Sequence, residues 1–263
     1  MNRALYVAKT GLEAQQFRLA TISNNLANAN TFAYKAGRAE FDDLMYQNVR
    51  QPGAQASQDE ANTYPSGLQL GTGVQAVGVQ KMHTQGNIMT TGNDLDIAIE
   101  GKGFFQALNQ EGNLMYTRDG SFQVNQNGDI VTSSGYLLEP NINVPQNATE
   151  VSITRDGAVF ATEPGNVAAN QIGQIELSTF INPAGLESIG GNFYTETTAS
   201  GAANVLNPQT AEAGALLQRS LESSNVNTVE ELIGMIEAQR TYEMNSKAIS
   251  AADGMMQYLN NNV

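Results

Sequence analysis

The sequence predicts an α+β protein: a discontinuous helical pair, one helix from each terminus, joined as a coiled coil around a β-rich middle domain. Three observations carry this expectation. Leucine recurs at every seventh residue through the first segment, at Leu5, Leu12, Leu19 and Leu26. The C-terminal segment repeats the spacing with Met235, Tyr242, Ile249, Met256 and Val263. All seven prolines and 22 of the 25 glycines lie between residues 36 and 225. An apolar residue at every seventh position is the seam of a coiled coil, whereas Gly and Pro punctuate strands and turns.

The first helix is expected from about Ala4 to Asn28. Its stripe runs Leu5, Ala8, Leu12, Gln15, Leu19, Ile22, Leu26, Ala29, with Gln15 as a polar break that fixes register. At about 1.5 Å per residue it would be roughly 40 Å long. The run Ser23-Asn24-Asn25-Leu26-Ala27-Asn28-Ala29-Asn30-Thr31 ends it, because Asn and Thr side chains compete for the backbone. The last helix starts near Thr228, which is spaced with Glu231 as a capping box. Leu232, Met235, Ile236, Tyr242, Ile249, Ala252, Met256 and Leu259 mark its apolar stripe. Gln239, Ser246 and Asp253 make its other seam position polar, which suits several helices packing together better than two. Such stripes are also what plain core helices show, so two helices packed on the body of a monomer remain the simpler alternative.

Strand signals fill the middle. Asp94 to Ile99 alternates, with Leu95, Ile97 and Ile99 on one face and the carboxylates on the other. Phe104 to Leu108 follows Gly101 and Gly103. Ser121 to Val124 and Asp129 to Thr132 flank an Asn127-Gly128 turn and read as a hairpin. Tyr116-Thr117-Arg118-Asp119-Gly120 is echoed by Ile153-Thr154-Arg155-Asp156-Gly157, as two hairpins that reuse an Asp-Gly turn. Gln174 to Phe180 is a further strand. Residues 46–73, with Gln51, Pro52, Gly53, Tyr64 and Pro65, show no period and read as a long insertion. The expected organisation is residues 1–35 with 225–263 as a terminal assembly domain. Residues 36–85 with 208–224 form a linker region, and residues 86–207 a β-rich outer domain.

The chain is acidic, with a formal net charge of −13. Such a surface repels phosphate backbones and anionic lipid, so neither nucleic acid nor a membrane surface is an expected partner. No apolar run reaches the length of a membrane span, and the N-terminal segment lacks the apolar run of a cleavable secretion signal. Residues 1–35 hold Arg3, Lys9, Arg18 and Lys35 against Glu13. Residues 226–263 hold Arg240 and Lys247 against Glu230, Glu231, Glu237, Glu243 and Asp253. The two ends are therefore electrostatically complementary.

Chemistry is hard to build here. Asp94, Asp96 and Glu100 are conceivable as paired carboxylates, yet a half-buried strand accounts for them. His83 is the sole histidine and there is no cysteine, so neither a two-histidine nor a cysteine-based metal site can form. Gly101-Lys102-Gly103-Phe104-Phe105-Gln106 breaks the nucleotide-loop pattern, and neither Asp-Gly pair has EF-hand spacing. No catalytic residue, cofactor or metal is expected.

Four motifs in order resemble the flagellar rod and hook protein family. Ser23, Asn24, Asn25, Leu26, Asn28, Asn30 and Thr31, with Tyr34-Lys35 following, are similar to its N-terminal signature. Asp96-Ile97-Ala98-Ile99-Glu100-Gly101-Lys102-Gly103-Phe104-Phe105 resembles the central motif, and Tyr116-Thr117-Arg118-Asp119-Gly120 continues it. Ser224-Asn225-Val226-Asn227, Glu230-Glu231-Leu232 and Gln239-Arg240-Tyr242-Glu243 resemble the C-terminal signature. The small body and the insertion fit the distal-rod branch best, with proximal rod and hook subunits as alternatives. The resemblance implies export in unfolded form by the flagellar type III apparatus. It implies self-assembly into a helical tube whose core is lined by the termini, crossing the periplasm as a drive shaft. Implied partners are proximal rod proteins, hook or hook-adjacent proteins, and the P- and L-ring proteins. The assembly seam would be Leu5, Leu12, Leu19, Ile22 and Leu26 with Leu232, Met235, Tyr242, Ile249 and Met256. A reading from another class is an extracytoplasmic carbohydrate-binding or glycan-hydrolysing β module, against which the absence of tryptophan counts.

Overall fold

The computed structural model describes residues 3–53, 66–164, 169–210 and 212–261. Two terminal helices and a β-rich middle make the fold α+β. The chain divides into two compact units, residues 1–27, 37–80 and 227–263 in one and residues 28–36 and 81–226 in the other.

The first unit holds both helices, α1 (Arg3–Ala27) and α2 (Thr228–Asn261), and two strand pairs. Strand β1 (Gly37–Asp43) pairs with β4 (Val74–Lys81), and β2 (Gln47–Arg50) pairs antiparallel with β3 (Leu68–Leu70) across a bulge. Residues 37–50 and 68–80 therefore belong to a structured unit rather than to the expected linker. The polar and Gly-rich composition that suggested a linker belongs to two-stranded ribbons with exposed faces. Tyr64 and Pro65 lie outside the described residues, as do Val263 and the Leu259 side chain. The loop enters β4 through Gly73, whose φ of +123° and closeness to the Thr10 side chain leave no room for a Cβ.

Helix α2 is capped one residue earlier than expected. The Asn227 side-chain oxygen accepts the Val229 N–H at 3.2 Å, and the Asn227 carbonyl accepts the Glu231 N–H at 3.0 Å. Glu230 and Glu231 then sit in the first turn, where carboxylates favour the helix dipole. Glu231 does not fold back to complete a box, because it accepts the Asn25 amide instead.

The second unit centres on a seven-stranded antiparallel sheet. Its order is Glu187–Gly190, Phe193–Thr195, Leu114–Thr117, Phe105–Leu108, Leu137–Glu139, Ile130–Thr132, Phe122–Val124. Glu150–Ile153, Ala158–Thr162 and Asn170–Gln174 form a three-stranded sheet. Ile97, Ile99, Phe105, Phe122, Ile130, Leu138, Ile142, Val159, Ile175, Leu177 and Leu216 fill the main core between elements. Two flanking strands, Ala215–Gln218 and Ser220–Glu222, pair with Ile97–Glu100 and Ile88–Thr90. Residues 215–222 are thus part of the body and not linker.

Several strand expectations hold. The Asn127-Gly128 hairpin forms, with Val124 opposite Ile130 and Phe122 opposite Thr132. The Asp156-Gly157 hairpin forms too, and pairs Ile153 with Val159. Its echo does not. Asp119-Gly120 joins strands of the sheet that are not neighbours, and Gly120 lies against the Ile97 backbone where a Cβ has no space. The 94–99 segment also differs: the strand is Ile97–Glu100, and Asp96, Ile97, Ala98 and Ile99 are all buried. Burial on both faces replaces alternation because strand and sheet partners cover both sides. The 174–180 segment bends, leaving Leu177–Thr179 as its strand.

Candidate functional site

Two sites emerge, one in each unit. In the first, α1 and α2 run antiparallel against each other. Asn25 meets Glu231, Ile22 meets Gly234, Arg18 meets Glu237 and Gly11 meets Asn245, so one number rises as the other falls. The residues that become buried are small or polar: Thr10, Ala14 and Asn25, with Ile22, on α1, and Ala238 and Ala252 on α2. Small side chains let helix axes approach closely.

The expected seam residues sit beside this contact. Ile22 is buried, whereas Leu5, Leu12, Leu19 and Leu26 are half-buried. Met235, Tyr242 and Ile249 are half-buried too, and Leu232 and Met256 are exposed, Leu232 by 47%. Ile233, Ile236, Met244 and Met255 add to the exposed apolar surface of α2.

Asn25 ties this unit together. Its amide nitrogen donates to the Gly37 carbonyl and to Glu231 Oε1, each at 2.8 Å, and its oxygen accepts the Gly37 N–H at 2.8 Å. A buried asparagine with donor and acceptor both engaged fixes where α1 stops and β1 begins. The other motif residues do less visible work. Asn28 accepts the Thr31 N–H and hydroxyl across the turn that follows α1. Ser23, Asn24 and Asn30 are exposed and Leu26 and Thr31 half-buried. Gln51, Pro52 and Gly53 of the insertion are exposed.

The site in the second unit is a buried ion cluster built on Glu222. Glu222 Oε1 accepts Lys35 Nζ at 2.5 Å and the Gly86 N–H at 2.7 Å, and Oε2 accepts Arg118 Nε at 2.9 Å. Lys35 Nζ also donates to the Thr84 carbonyl at 2.8 Å. Arg118 donates to the Gly101 and Gly103 carbonyls at 2.8 and 3.2 Å. All three side chains are essentially withdrawn from solvent. One carboxylate therefore joins four separated segments, and with the Arg118 bonds it brings Tyr34-Lys35, Gly101-Lys102-Gly103 and Tyr116-Thr117-Arg118 to one place. Asn225 extends the clamp: it accepts the Ala36 N–H at 2.7 Å and donates to the Met82 carbonyl at 2.7 Å.

The electrostatics follow from two cations sharing one anion. Burial pushes the Glu222 carboxyl up, but Arg118 and Lys35 outweigh it and hold it below the usual range. Burial first, then the Arg118 charge, lowers Lys35 to about 8 despite Glu222. His83 stands beside this cluster, edge-on to Phe104 and Tyr194. Neither ring nitrogen meets a hydrogen-bond partner. Burial, then Lys35, Arg118 and Lys81, lowers it to about 4, and the nearby Pro183 carbonyl offsets only part of this.

Glu222 escaped the sequence reading. Its only signal is a lone carboxylate between Leu221 and Ser223-Ser224-Asn225, immediately before a motif. The three carboxylates considered for catalysis are engaged elsewhere. Asp96 accepts from Thr91 and Asn93, Asp94 pairs with Arg219 at 2.6 Å, and Glu100 pairs with Arg155 at 2.7 Å. Among the described residues no cluster of three His, Cys, Asp or Glu side chains is placed to hold a metal ion. No described helix is long and apolar enough to cross a membrane.

Comparison with known proteins covers both units. Residues 5–35 match the family model described as flagella basal body rod protein. Residues 98–161 match the flagellar hook protein FlgE/F/G D1 domain, and residues 217–262 the flagellar basal body rod FlgEFG protein C-terminal model. The chain is 49% identical over 259 residues to flagellar basal-body rod protein FlgG of Buchnera aphidicola subsp. Acyrthosiphon pisum, covering 98% of this chain and 99% of the relative. It is 47% identical to the protein of that name from Caulobacter vibrioides, over 97% of each chain. The flagellar hook-basal body complex protein FlhP of Bacillus subtilis is 32% identical over 99% of each.

Proposed function

The chain belongs to the flagellar basal-body rod protein family, and from this premise we propose that it is a structural subunit of the distal rod. It polymerises into a rigid helical tube that transmits torque from motor to hook across the periplasm. The role is mechanical, not catalytic. The terminal helices supply the tube's core as a coiled-coil assembly domain, and the acidic body packs outside. Its partners are further copies of itself, proximal rod and hook or hook-adjacent proteins, the P- and L-ring proteins, and the type III export apparatus.

The observation that carries this reading is the surface of the helical unit. Leu232, Ile233, Ile236, Met244 and Met255 are exposed together on one 34-residue helix. Together they form one broad exposed apolar stripe, and a helix with such a stripe is one that becomes buried. The half-buried leucines of α1 offer the same kind of unfinished surface.

Electron microscopy of the concentrated, purified chain tests the reading, with straight tubes as the expected result. A chain that stays monomeric and binds or cleaves peptidoglycan would favour the carbohydrate-module alternative. The insertion is proposed to stiffen the tube by wedging against neighbouring copies. Removing residues 46–67 should then leave a polymer that bends, and straight, rigid tubes from the deleted form would refute the wedge.

A further inference from the structure

Charge is distributed unevenly over the body. Residues 28–36 and 81–226 hold 6 basic side chains against 15 acidic ones. Almost all of the cations are engaged. Lys35 and Arg118 share Glu222, Arg155 pairs with Glu100, and Arg219 pairs with Asp94 and Glu150. Lys81 is half-buried, with its ammonium over the Tyr34 ring. Among the described residues of the body, Lys102 alone is an exposed cation without an ion pair. Arg118 donates to the carbonyls on either side of it, Gly101 and Gly103, and so fixes the loop that presents it.

Lys102 borders a cavity of about 310 Å³ whose lining includes Phe104, Arg118, Phe180, Ile181 and Glu212. Ligand pockets run from roughly 300 to 1,000 Å³, so this one suits a guest the size of a single amino-acid residue. Phe104 and Phe180 meet edge to face at 5.8 Å, and Ile181 beside them is 97% exposed. Arg118 belongs to a buried cluster in which two cations share one carboxylate, which leaves one positive charge uncompensated. His83 lines the same cavity, and the charges that act on it, Lys35, Arg118 and Lys81, are all positive. A cleft of one sign set in a surface of the other focuses its field on a charged guest. Glu212 is the one carboxylate in the lining, exposed and without an ion pair to Lys102.

We propose that this cavity binds the free α-carboxylate of an apolar residue, either as an amino acid or as the last residue of a peptide. The carboxylate pairs with the Lys102 ammonium in the field of the buried cluster. The apolar side chain packs against Phe104, Phe180 and Ile181, and covers the isoleucine. Glu212 then distinguishes the two sources. It accepts the ammonium of a free amino acid, whereas a peptide end offers only a neutral amide. Elsewhere the acidic surface of the body repels a carboxylate, so the guest is directed to this one mouth. The site lies within the body and is independent of assembly.

The test titrates L-leucine, N-acetyl-L-leucine and L-leucine amide into dilute full-length chain. His83 is the sole histidine, so its ring C–H resonances report occupancy at one place, and calorimetry gives the Kd. Leucine or acetyl-leucine should move the His83 signals saturably, and leucine amide, which lacks the carboxylate, should not. Tighter binding of leucine identifies the free amino acid as the source, and equal or tighter binding of acetyl-leucine identifies the peptide end. Lys102→Gln should weaken the bound form by about tenfold or more, the scale of one charge-assisted contact, and Lys102→Arg should restore it. Glu212→Gln should weaken leucine and spare acetyl-leucine. The proposal is overturned if neither carboxylate moves His83 at millimolar concentration, if leucine amide binds as well as leucine, or if Lys102→Gln binds as wild type does.

Discussion

The two units bury opposite kinds of residue. The body withdraws Phe105, Phe122, Ile97, Ile99 and Leu138 completely, and withdraws Lys35, Arg118 and Glu222 with them. The helical unit buries Thr10, Ala14, Asn25, Ala238 and Ala252, and leaves Leu232, Ile236, Met244 and Met255 facing solvent. The body has closed its core and neutralised most of its buried charge within one chain. The helical unit has not closed its own. The contrast separates folding from assembly: the body should stand alone, and the termini should need company.

The most severe way to break the contrast is to open the body. Replacing Glu222 with Gln leaves Lys35 and Arg118 buried around a neutral amide. Breaking a buried pair from one side costs about 3–5 kcal/mol. Chemical denaturation should show a loss of that order, carried by the body. Replacing Lys35 with Met should cost less, because Arg118 still satisfies the carboxylate.

Opening the other unit should damage assembly and spare folding. Leu19 is half-buried on α1 and Gln16 is exposed. Leu19→Asp places an unpaired charge where neighbouring helices are to pack, at a cost of several kcal/mol per copy. Sedimentation should show no polymer, while the body's melting stays unchanged. Gln16→Asp should be far milder. Equal loss at the two positions would remove the functional content of the stripe.

Acid should sharpen the contrast. His83 is held at about 4 against an ordinary 6.5, so between these values the unfolded chain binds the proton that the folded one refuses. Stability of the body is then full above pH 6.5 and falls as pH drops toward 4, by on the order of 3 kcal/mol. Glu222, held below its ordinary range, loses its contribution at still lower pH. A His83→Phe variant should flatten the first decline and leave the second.

The smallest effect belongs to the surface. Glu100 and Arg155 pair at 2.7 Å but both are more than half exposed. Such pairs contribute between zero and about 1 kcal/mol, so Glu100→Gln should shift the denaturation midpoint hardly at all.

What the sequence disclosed follows the same division. The helices were legible because a seven-residue period survives in any single chain, and the Asn127-Gly128 and Asp156-Gly157 hairpins because turn chemistry is local. The contact between the helices was not. Period marks where apolar residues recur, but the antiparallel approach of α1 and α2 selects small ones, so Ala14, Ala238 and Ala252 are buried deeper than Leu12 or Leu232. Lys35, Arg118 and Glu222 were legible as motif fragments or not at all. Their meeting joins positions 187 and 104 residues apart, and no local pattern encodes that. Asp119-Gly120 departs from a hairpin for the same reason: a turn dipeptide is a local signal, while Arg118 beside it serves a distant carboxylate.

Hydrogen exchange, read by mass spectrometry on free and polymerised chain, tests the division most directly. In free chain, amides of Phe105–Leu108 should exchange only through global unfolding, and those of α1 and α2 orders of magnitude faster. On polymerisation the helices should slow to the rate of the body or beyond, with the body's own rates unchanged. Helices that are as protected in the free chain as Phe105–Leu108, and that gain nothing in the polymer, would contradict the account.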